Sequence, residues 1–336
     1  MTLWLRSLGL VLLSVLLSAC GSRATPTLNA PAAQETVRGE TLPGRLLFVR
    51  QGVIWQWQGS EARPLLGAGE VTQPAWSPGG DRIAYIARTN SASDLYLADA
   101  VGAPLAQLTT YTSTEPPNSL ARVYASRWAF YPAWAPDGQI ALVTQPAPPE
   151  GNPPAEYNLD LVLLQAGSGA VRQLYSDDKA QCGRSAFSAD GAILVFTRAG
   201  VGADGQQRLY KLEVASGVTE PVAGAPEPSY DPAFSSDGVW LAFTARDAGR
   251  TDLFVLPSGG MGAPQRLTTL GAARAPAFAP DGHLLAFLAM APGETGFDLW
   301  VADLRVAATG TLTAGAPRRV TNGLRLDGDA GLTWAR

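Results

Sequence analysis

The chain has 336 residues, 46% of them hydrophobic, and it contains 36 glycines and 26 prolines. This content of glycine and proline favours many short strands joined by tight turns and argues against a fold of long helices. The 25 basic and 29 acidic residues give a net charge of −4, with no run of Lys or Arg. Because a nucleic-acid interface needs a basic surface that neutralises phosphates, we expect no nucleic-acid binding.

The N-terminus has the pattern of an export signal. Arg6 precedes an apolar run over residues 8–17, which is too short to cross a membrane as a helix and has the length of a signal-peptide core. The run ends at Leu17-Ser18-Ala19-Cys20, which resembles the bacterial lipobox. The resemblance implies that residues 1–19 are a lipoprotein signal peptide and that Cys20 is lipidated and becomes the mature N-terminus. An ordinary secretory signal with a cysteine at its cleavage site is the alternative.

Residues 20–43 are small, polar and interspersed with proline, without hydrophobic periodicity. They predict a lipid-anchored flexible tether, which as a coil would span roughly 25 Å on average. We therefore expect an exported protein, anchored to the cell membrane on its periplasmic or extracellular face through the lipid on Cys20.

One unit recurs five times: proline or serine, alanine, an aromatic residue and a short turn that ends in glycine, followed by an apolar strand. The Asp-Gly pair of four copies supplies the positive φ that a tight hairpin turn needs. The copies begin at Pro74, Pro132, Ser185, Pro232 and Pro276. A second hairpin follows each copy, so each unit predicts four antiparallel strands, which is one blade of a propeller.

The chain ends complete the count to six. Residues 46–66 supply strands two, three and four of a blade, and residues 331–336 supply a first strand with nothing after it. Joining them closes the ring and removes exposed sheet edges. We predict an all-β domain over residues 44–336, a six-bladed β-propeller of four-stranded antiparallel blades closed by the N-terminal strands and the C-terminal strand. The repeated aromatic residues are expected to pack between blades, and they are Trp76, Trp134, Phe187, Phe234, Phe278 and Trp334.

The Pro-Ala-Trp/Phe-Ser-Pro-Asp-Gly unit, with its later Leu-Tyr/Phe/Trp-Val strand and Leu-Thr ending, resembles the TolB-type, WD-like propeller repeat. The resemblance covers residues 44–336 and implies the same fold. Gly79 stands in place of Asp in the first copy, Ser185 in place of Pro in the third, and the sixth copy is degenerate. We expect a monomer. The partners of TolB are not carried over, because the residues that recognise them lie outside the matched repeat.

Residues suited to catalysis are scarce. His283 is the sole histidine and follows Asp281-Gly282, where a solvated turn residue is expected. No Gly-x-Ser-x-Gly elbow occurs, and two cysteines with one histidine cannot build a His/Cys metal site. We therefore expect no enzyme activity, no cofactor and no metal. Cys182 is expected to be a buried, inert thiol. A thiol activated by Lys179 or Arg184 is the alternative.

Two long loops belong to the blade that begins at Pro132, and both are expected on the same face of the ring. They span residues 110–131 and residues 145–157, the latter rich in proline, and long loops in a compact scaffold are commonly functional. Tyr, Trp and Arg are enriched at protein interfaces. The candidate partner-binding residues are Tyr111, Arg122, Tyr124, Arg127, Trp128, Phe130 and Tyr131. Alternatively, the aromatic residues fold the loop onto the propeller as a plug. A third insertion, residues 303–317, is expected to be a plain loop.

These features favour a non-catalytic, membrane-tethered binding or scaffold module of the cell envelope, with an envelope protein as its partner. A receptor for a sugar or peptide in the central channel is the second hypothesis, and it requires a polar concavity. A hydrolase built from two carboxylates about 5–10 Å apart in the channel is the third.

Overall fold

The computed structural model describes residues 35–146, 159–200, 206–260 and 262–336. The predicted signal peptide, Cys20, most of the tether and nearly all of the Pro-rich loop lie outside the described residues. The described part of the chain forms six antiparallel sheets arranged as a ring, with one short helix, α1 (Leu120–Ala125). The predicted all-β, six-bladed propeller is therefore confirmed.

The strands alternate in direction within each sheet and are numbered along the chain. They are β1 (Val37–Arg50), β2 (Val53–Leu66), β3 (Val71–Trp76), β4 (Arg82–Arg88), β5 (Ser93–Asp99), β6 (Pro104–Gln107), β7 (Ala129–Trp134), β8 (Gln139–Thr144), β9 (Asp160–Gln165), β10 (Val171–Tyr175), β11 (Ala180–Phe187), β12 (Ile193–Gly200), β13 (Gln207–Glu213), β14 (Thr219–Pro221), β15 (Ser229–Phe234), β16 (Trp240–Asp247), β17 (Arg250–Pro257), β18 (Gln265–Arg266), β19 (Ala273–Phe278), β20 (Leu284–Ala289), β21 (Asp298–Val306), β22 (Leu312–Ala314), β23 (Arg318–Arg319) and β24 (Thr333–Ala335). Blades one to four consist of β3–β6, β7–β10, β11–β14 and β15–β18, blade five of β19–β23, and blade six of β24, β1 and β2.

Blade six is built from both ends of the chain, as predicted. β1 lies between β24 and β2, and Leu46 pairs with Trp334 on one side and with Trp57 on the other. Residues 46–66 are predicted to supply three strands of this blade, but the third and fourth are one continuous strand, β2, so this sheet has three strands.

The boundary between tether and propeller is also corrected. β1 begins at Val37, so residues 37–43 of the predicted tether belong to a strand. Gly44 and Gly59 have φ values of 64° and 63°, which lets both strands bend. The bend brings Val37–Leu42 against residues 59–62, where the two segments pair.

The hairpin turns explain the repeated Ser-x-Asp-Gly letters. In blade four, the Ser235 hydroxyl accepts from the Trp240 N–H at 2.9 Å, and the Asp237 carboxylate accepts from the Val239 N–H at 3.0 Å. In blade one, where Gly79 replaces the aspartate, the Ser77 hydroxyl donates to Asp81 at 2.8 Å instead. The turn therefore keeps its carboxylate although the sequence pattern departs there.

The Leu-Thr endings are explained by buried aspartates at the start of third strands. Asp94, Asp252 and Asp298 are each 2% exposed or less. Their carboxylates accept from the threonine that ends the blade, at 2.7–2.9 Å, and from backbone N–H groups of the connection to the next blade. The threonines are Thr109, Thr268 and Thr321. Because a buried carboxylate needs hydrogen-bond donors, these pairs hold the ends of blades one, four and five.

The apolar core is divided into six clusters, one between each pair of neighbouring blades. Each of the six repeated aromatic side chains belongs to, or packs against, a different cluster. The prediction that they pack between blades is confirmed. The same side chains also line the central channel.

The insertion at residues 303–317 is not a plain loop. β21 extends to Val306, and Leu304–Val306 pairs with Leu312–Ala314 as a small hairpin. Leu304 and Leu312 are buried in the cluster between blades four and five. The expectation from sequence was wrong because it overlooked these two apolar anchors.

Candidate functional site

The two faces of the ring carry different connections. We call loop face the side where the first strands begin, at Val71, Ala129, Ala180, Ser229 and Ala273. The connections between second and third strands lie on the same side, because neighbouring strands are antiparallel. We call turn face the opposite side, which carries the Ser-x-Asp-Gly turns. Both predicted long loops start from the loop face.

The loop of residues 110–131 is closed at its base. Asp94 accepts from the Tyr111 N–H at 2.6 Å, and the Arg127 N–H donates to the Tyr111 carbonyl at 3.2 Å. The Arg127 guanidinium lies 4.3 Å from the centre of the Tyr111 ring and donates to the Pro146 carbonyl at 3.2 Å. Tyr111 and Arg127 are thus brought together, and Arg127 links the first loop to the start of the Pro-rich one.

Helix α1 lies at the outer part of this loop. Its N-cap is Ser119, whose hydroxyl accepts from the Arg122 N–H at 3.1 Å. The Arg122 side chain donates to the Ser91 hydroxyl at 3.1 Å, which fixes the helix to the connection between β4 and β5. Leu120 and Val123, one helical turn apart, are 57% and 37% exposed and line a groove between the helix and residues 89–91. Tyr124 is half-buried on the same helix.

The remaining candidates form an aromatic row that leads to the channel. Trp128 stacks on Phe130 with ring centres 5.9 Å apart, and Phe130 contacts Tyr131 at 6.0 Å. Phe130 and Tyr131 belong to β7 and not to the loop. Burial raises the pKa of the Tyr131 hydroxyl. The seven candidates therefore divide into loop residues and residues that pack on the propeller.

A network of four charged side chains lies at the channel mouth on the loop face. Asp231, 5% exposed, accepts from Arg184 at 3.2 Å and from Arg274 at 3.1 Å. Arg274 also pairs with Asp329 at 2.6 Å, and Arg184 donates to the Asp329 carbonyl at 2.8 Å. Burial opposes the charge of Arg274, but the two carboxylates outweigh it and raise its pKa.

Sequence reasoning missed this network, although a signal exists. Arg184 and Asp231 each stand directly before a repeat motif, at the position that Gln73, Tyr131 and Gly331 hold in other blades. The Arg184 guanidinium lies against Gly331, and a Cβ atom added there would displace it. This position therefore supplies two of the four members of the network, whereas Arg274 and Asp329 lie one and two residues further from their motifs.

The channel itself is a cavity of about 300 Å³ lined mainly by the proline, alanine and aromatic residues of the repeats. Its lining includes Arg184 and Asp231 at one end but no residue of the 110–131 loop. That loop lies beside the channel, over blades one and two.

The other singled-out side chains lie away from the mouth. His283 is exposed in its turn, as expected, and its backbone N–H donates to the Asp281 carboxylate at 3.0 Å. Cys182 is 5% exposed, and burial, reinforced by Asp160, raises the pKa of its thiol to about 12. Arg184 points to Asp231 instead of activating this thiol. Within the described ranges, no group of three His, Cys, Asp or Glu side chains is arranged to hold a metal ion. No helix there is long and apolar enough to span a membrane.

Comparison with known proteins identifies the fold. No protein-family model matches the sequence, and no protein of curated function matches it significantly. The structure is similar to TolB from Acinetobacter baumannii, with 15% identity, a TM-score of 0.62 and coverage of 87% of this chain and 66% of that one. It is also similar to a TolB-type protein from Agrobacterium tumefaciens, with 17% identity, a TM-score of 0.54 and coverage of 87% and 98%. A chain of a nidogen/laminin complex matches with 12% identity, a TM-score of 0.59 and coverage of 86% and 97%.

The present chain spans about two thirds of the Acinetobacter protein and nearly the whole of the Agrobacterium one. At these identities the likenesses establish the fold alone. The TolB-like propeller expected from the repeats is confirmed.

Proposed function

We propose that this TolB-like propeller is a non-catalytic protein-binding module of the bacterial cell envelope, tethered to a membrane through Cys20 and contacting its partner through the loop face around α1. The observation that carries the proposal is the exposed pair Leu120 and Val123 on a helix that is fixed in place by the Arg122–Ser91 hydrogen bond. Arg122 and Tyr124 lie on the same helix, and tyrosine and arginine are residue types enriched at interface hot spots.

Pre-organisation supports this surface over a flexible loop. The base is closed by Asp94, Tyr111 and Arg127, and the helix has its own N-cap. Little conformational entropy remains to be lost when a partner binds, which favours affinity.

The carboxylates of the channel mouth give little support to a hydrolase. Asp231 and Asp329 are both paired with Arg274, and Asp231 also with Arg184. A glycosidase-type mechanism needs one carboxyl group that acts as an acid and one available base or nucleophile, whereas the carboxylates of Asp231 and Asp329 are both engaged in ion pairs with arginine.

A small-ligand receptor is the second candidate function. Its support is the cavity of about 300 Å³ on the propeller axis, ringed by aromatic side chains, which is at the lower end of the volumes of ligand pockets.

The first test replaces the exposed pair on α1. We expect Leu120→Glu with Val123→Glu to reduce at least tenfold the partner recovered by crosslinking from envelope membranes, because burying an unpaired carboxylate in an interface costs more than the roughly 1.4 kcal/mol of a tenfold change. The matched control is Val101→Glu with Val239→Glu on the turn face, where the side chains are 77% and 50% exposed. Equal recovery by both double variants would remove the loop face as the site. No specific partner with the unaltered chain would favour the small-ligand function.

The second test addresses the anchor. In cells fed an alkyne-tagged fatty acid, we expect the chain to become labelled and Cys20→Ser to lose the label, because the acyl chains are joined to that residue in the lipoprotein pathway. Cys182→Ser is the control and should remain labelled, since that thiol is buried. Label retained by Cys20→Ser would contradict lipidation at this site.

A further inference from the structure

The described chain begins on the loop face. The Glu35 carboxylate pairs with the Arg50 guanidinium at 2.7 Å, and Arg50 is the last residue of β1, directly before the turn at residues 51–52. The Gly52 carbonyl accepts from the N–H of Val71, the first residue of β3, at 3.0 Å. Glu35 therefore lies on the side of the ring where the first strands start and where the 110–131 loop stands.

Contacts along the outer side of the ring fix the direction in which the N-terminal chain leaves the propeller at Glu35. Residues 37–42 pair with residues 59–62 of β2. Glu40 pairs with Arg318 of blade five at 2.8 Å. At Gly39 an added Cβ atom would lie 2.8 Å from the Val320 carbonyl oxygen, so the backbone runs close to blade five. The segment is held between blades five and six, and its direction toward the loop face follows from this packing.

The chain between the anchor and this exit is short. Glu35 is the fifteenth residue after Cys20, so a fully extended connection reaches at most about 54 Å, and a coil of that length spans about 20 Å on average. A seven-residue strand such as β4 is about 23 Å long, which approximates the depth of a blade. The turn face is therefore about one blade depth further than the loop face from Glu35, where this connection joins the ring.

We propose, on the basis of the anchor at Cys20 in the proposed function, that the loop face is turned toward the membrane and that its partner is another membrane-anchored protein, bound through a juxtamembrane segment with apolar side chains. Such a segment lies within the space that the short connection leaves between the loop face and the membrane. Leu120 and Val123 supply the apolar contact, and the channel mouth opens to the same space.

The distribution of exposed apolar side chains indicates that the loop face binds a protein and not the lipid surface. On the loop face, Leu120 and Val123 are the large apolar side chains that the described residues expose most. The turn face exposes more of them, and these are Val101, Val218, Val239 and Val306. Insertion into lipid is driven by buried apolar area and would therefore favour the face away from the anchor.

Energy transfer to a membrane dye tests the orientation. Two variants of the lipidated full chain, Leu120→Cys and Val239→Cys, are each labelled with a donor dye. The parent side chains are 57% and 50% exposed. Each labelled protein is then bound to vesicles that contain an acceptor lipid. Cys20 is blocked by its lipid, and Cys182 is shielded from the label because it is 5% exposed. We expect transfer from position 120 to be at least twice as efficient as from position 239. Equal efficiencies, or a higher one at 239, would overturn the orientation.

A second chain separates the orientation from the anchor. Cys20→Ser with an N-terminal hexahistidine tag, bound to nickel-chelating lipid, carries the same two reporters through the same connection. If the natural chain is not lipidated, the membrane anchor in the proposed function is wrong. The comparison of energy-transfer efficiency between positions 120 and 239 in the tagged chain still decides the orientation.

Two further measurements decide whether the loop face binds a protein or the lipid surface. Untagged Cys20→Ser is expected not to sediment with vesicles of anionic and zwitterionic lipid. Sedimentation that Leu120→Glu with Val123→Glu abolishes would assign the lipid surface as the occupant and overturn the protein partner. A photo-crosslinker at position 120 in cells is expected to join a peptide that adjoins the membrane anchor of the partner, and a peptide from a distant domain would overturn the juxtamembrane assignment.

Discussion

Removal of residues 332–336 is expected to leave the protein unfolded or with a small fraction of its stability. β24 pairs with β1, and the Trp334 indole donates to the Pro43 carbonyl at 2.7 Å. Trp334 packs on the cluster between blades five and six, whereas Ala335 is buried in the cluster between blades six and one. The truncation therefore opens two clusters and exposes an edge of β1.

The magnitudes follow from the groups removed. Replacing a buried tryptophan by alanine costs about 3–5 kcal/mol, and each lost hydrogen bond about 1 kcal/mol. Trp334→Ala alone should cost about 3 kcal/mol, since its side chain is half-buried. The truncation should cost well over 5 kcal/mol, against a total domain stability of about 5–15 kcal/mol.

Urea denaturation of the purified protein, followed by circular dichroism, measures these differences. Trp134→Ala is the matched control, because Trp134 holds the same repeat position in blade two and its indole donates to the Ala75 carbonyl at 3.0 Å. We expect the two tryptophan variants to lose similar free energy of unfolding and the truncation to lose clearly more. A truncated chain as stable as Trp334→Ala would mean that pairing of β24 contributes nothing to ring closure.

Asp231→Asn is expected to lower the free energy of unfolding by about 3 kcal/mol. The substitution removes the buried charge shared by Arg184 and Arg274 and leaves two guanidinium groups facing each other. Removing one partner of a buried ion pair costs about 3–5 kcal/mol. The lower figure applies because both arginine side chains are about a fifth exposed. Asp231 has a φ of 53°, which asparagine also tolerates, so the change tests charge and not backbone strain.

Asp329→Asn is the matched control within the same network. Its carboxylate pairs with Arg274 but is 73% exposed, and an exposed ion pair contributes less than about 1 kcal/mol. Denaturation of both variants at one pH and salt concentration gives the comparison. Equal losses would show that water reaches Asp231 as readily as Asp329, and the account of a buried charge network at the channel mouth would be wrong.

The two proposed functional elements have different physical roles. The charge network and the six aromatic residues are parts of the rigid ring, and their side chains are largely paired or packed. The loop face around α1 is instead an exposed feature placed on that scaffold. Binding residues are commonly arranged this way, because loops tolerate change while the scaffold fixes their position.

The sequence by itself determined the architecture of this protein. The Asp-Gly turns, the alternation of short apolar strands and the repeated aromatic residues are local patterns, and each predicts its strand or turn without knowledge of distant residues. Counting the copies and the incomplete ends was enough to predict six blades and the closing pair of β1 and β24. The start of β1 was placed too late because the polar residues before Gly44 lack strand periodicity and are held by blade five and β2.

Only the tertiary structure decided what lies around the axis and which way the N-terminal chain leaves. Arg184, Asp231, Arg274 and Asp329 come from consecutive parts of the ring but are 43 to 145 residues apart in their contacts. A repeat fixes which positions face the axis, but the pairing of their side chains depends on how the closed ring sets neighbouring blades. The exit of Glu35 on the loop face likewise depends on Glu40 meeting Arg318, a contact that exists only because ring closure places blade five beside blade six.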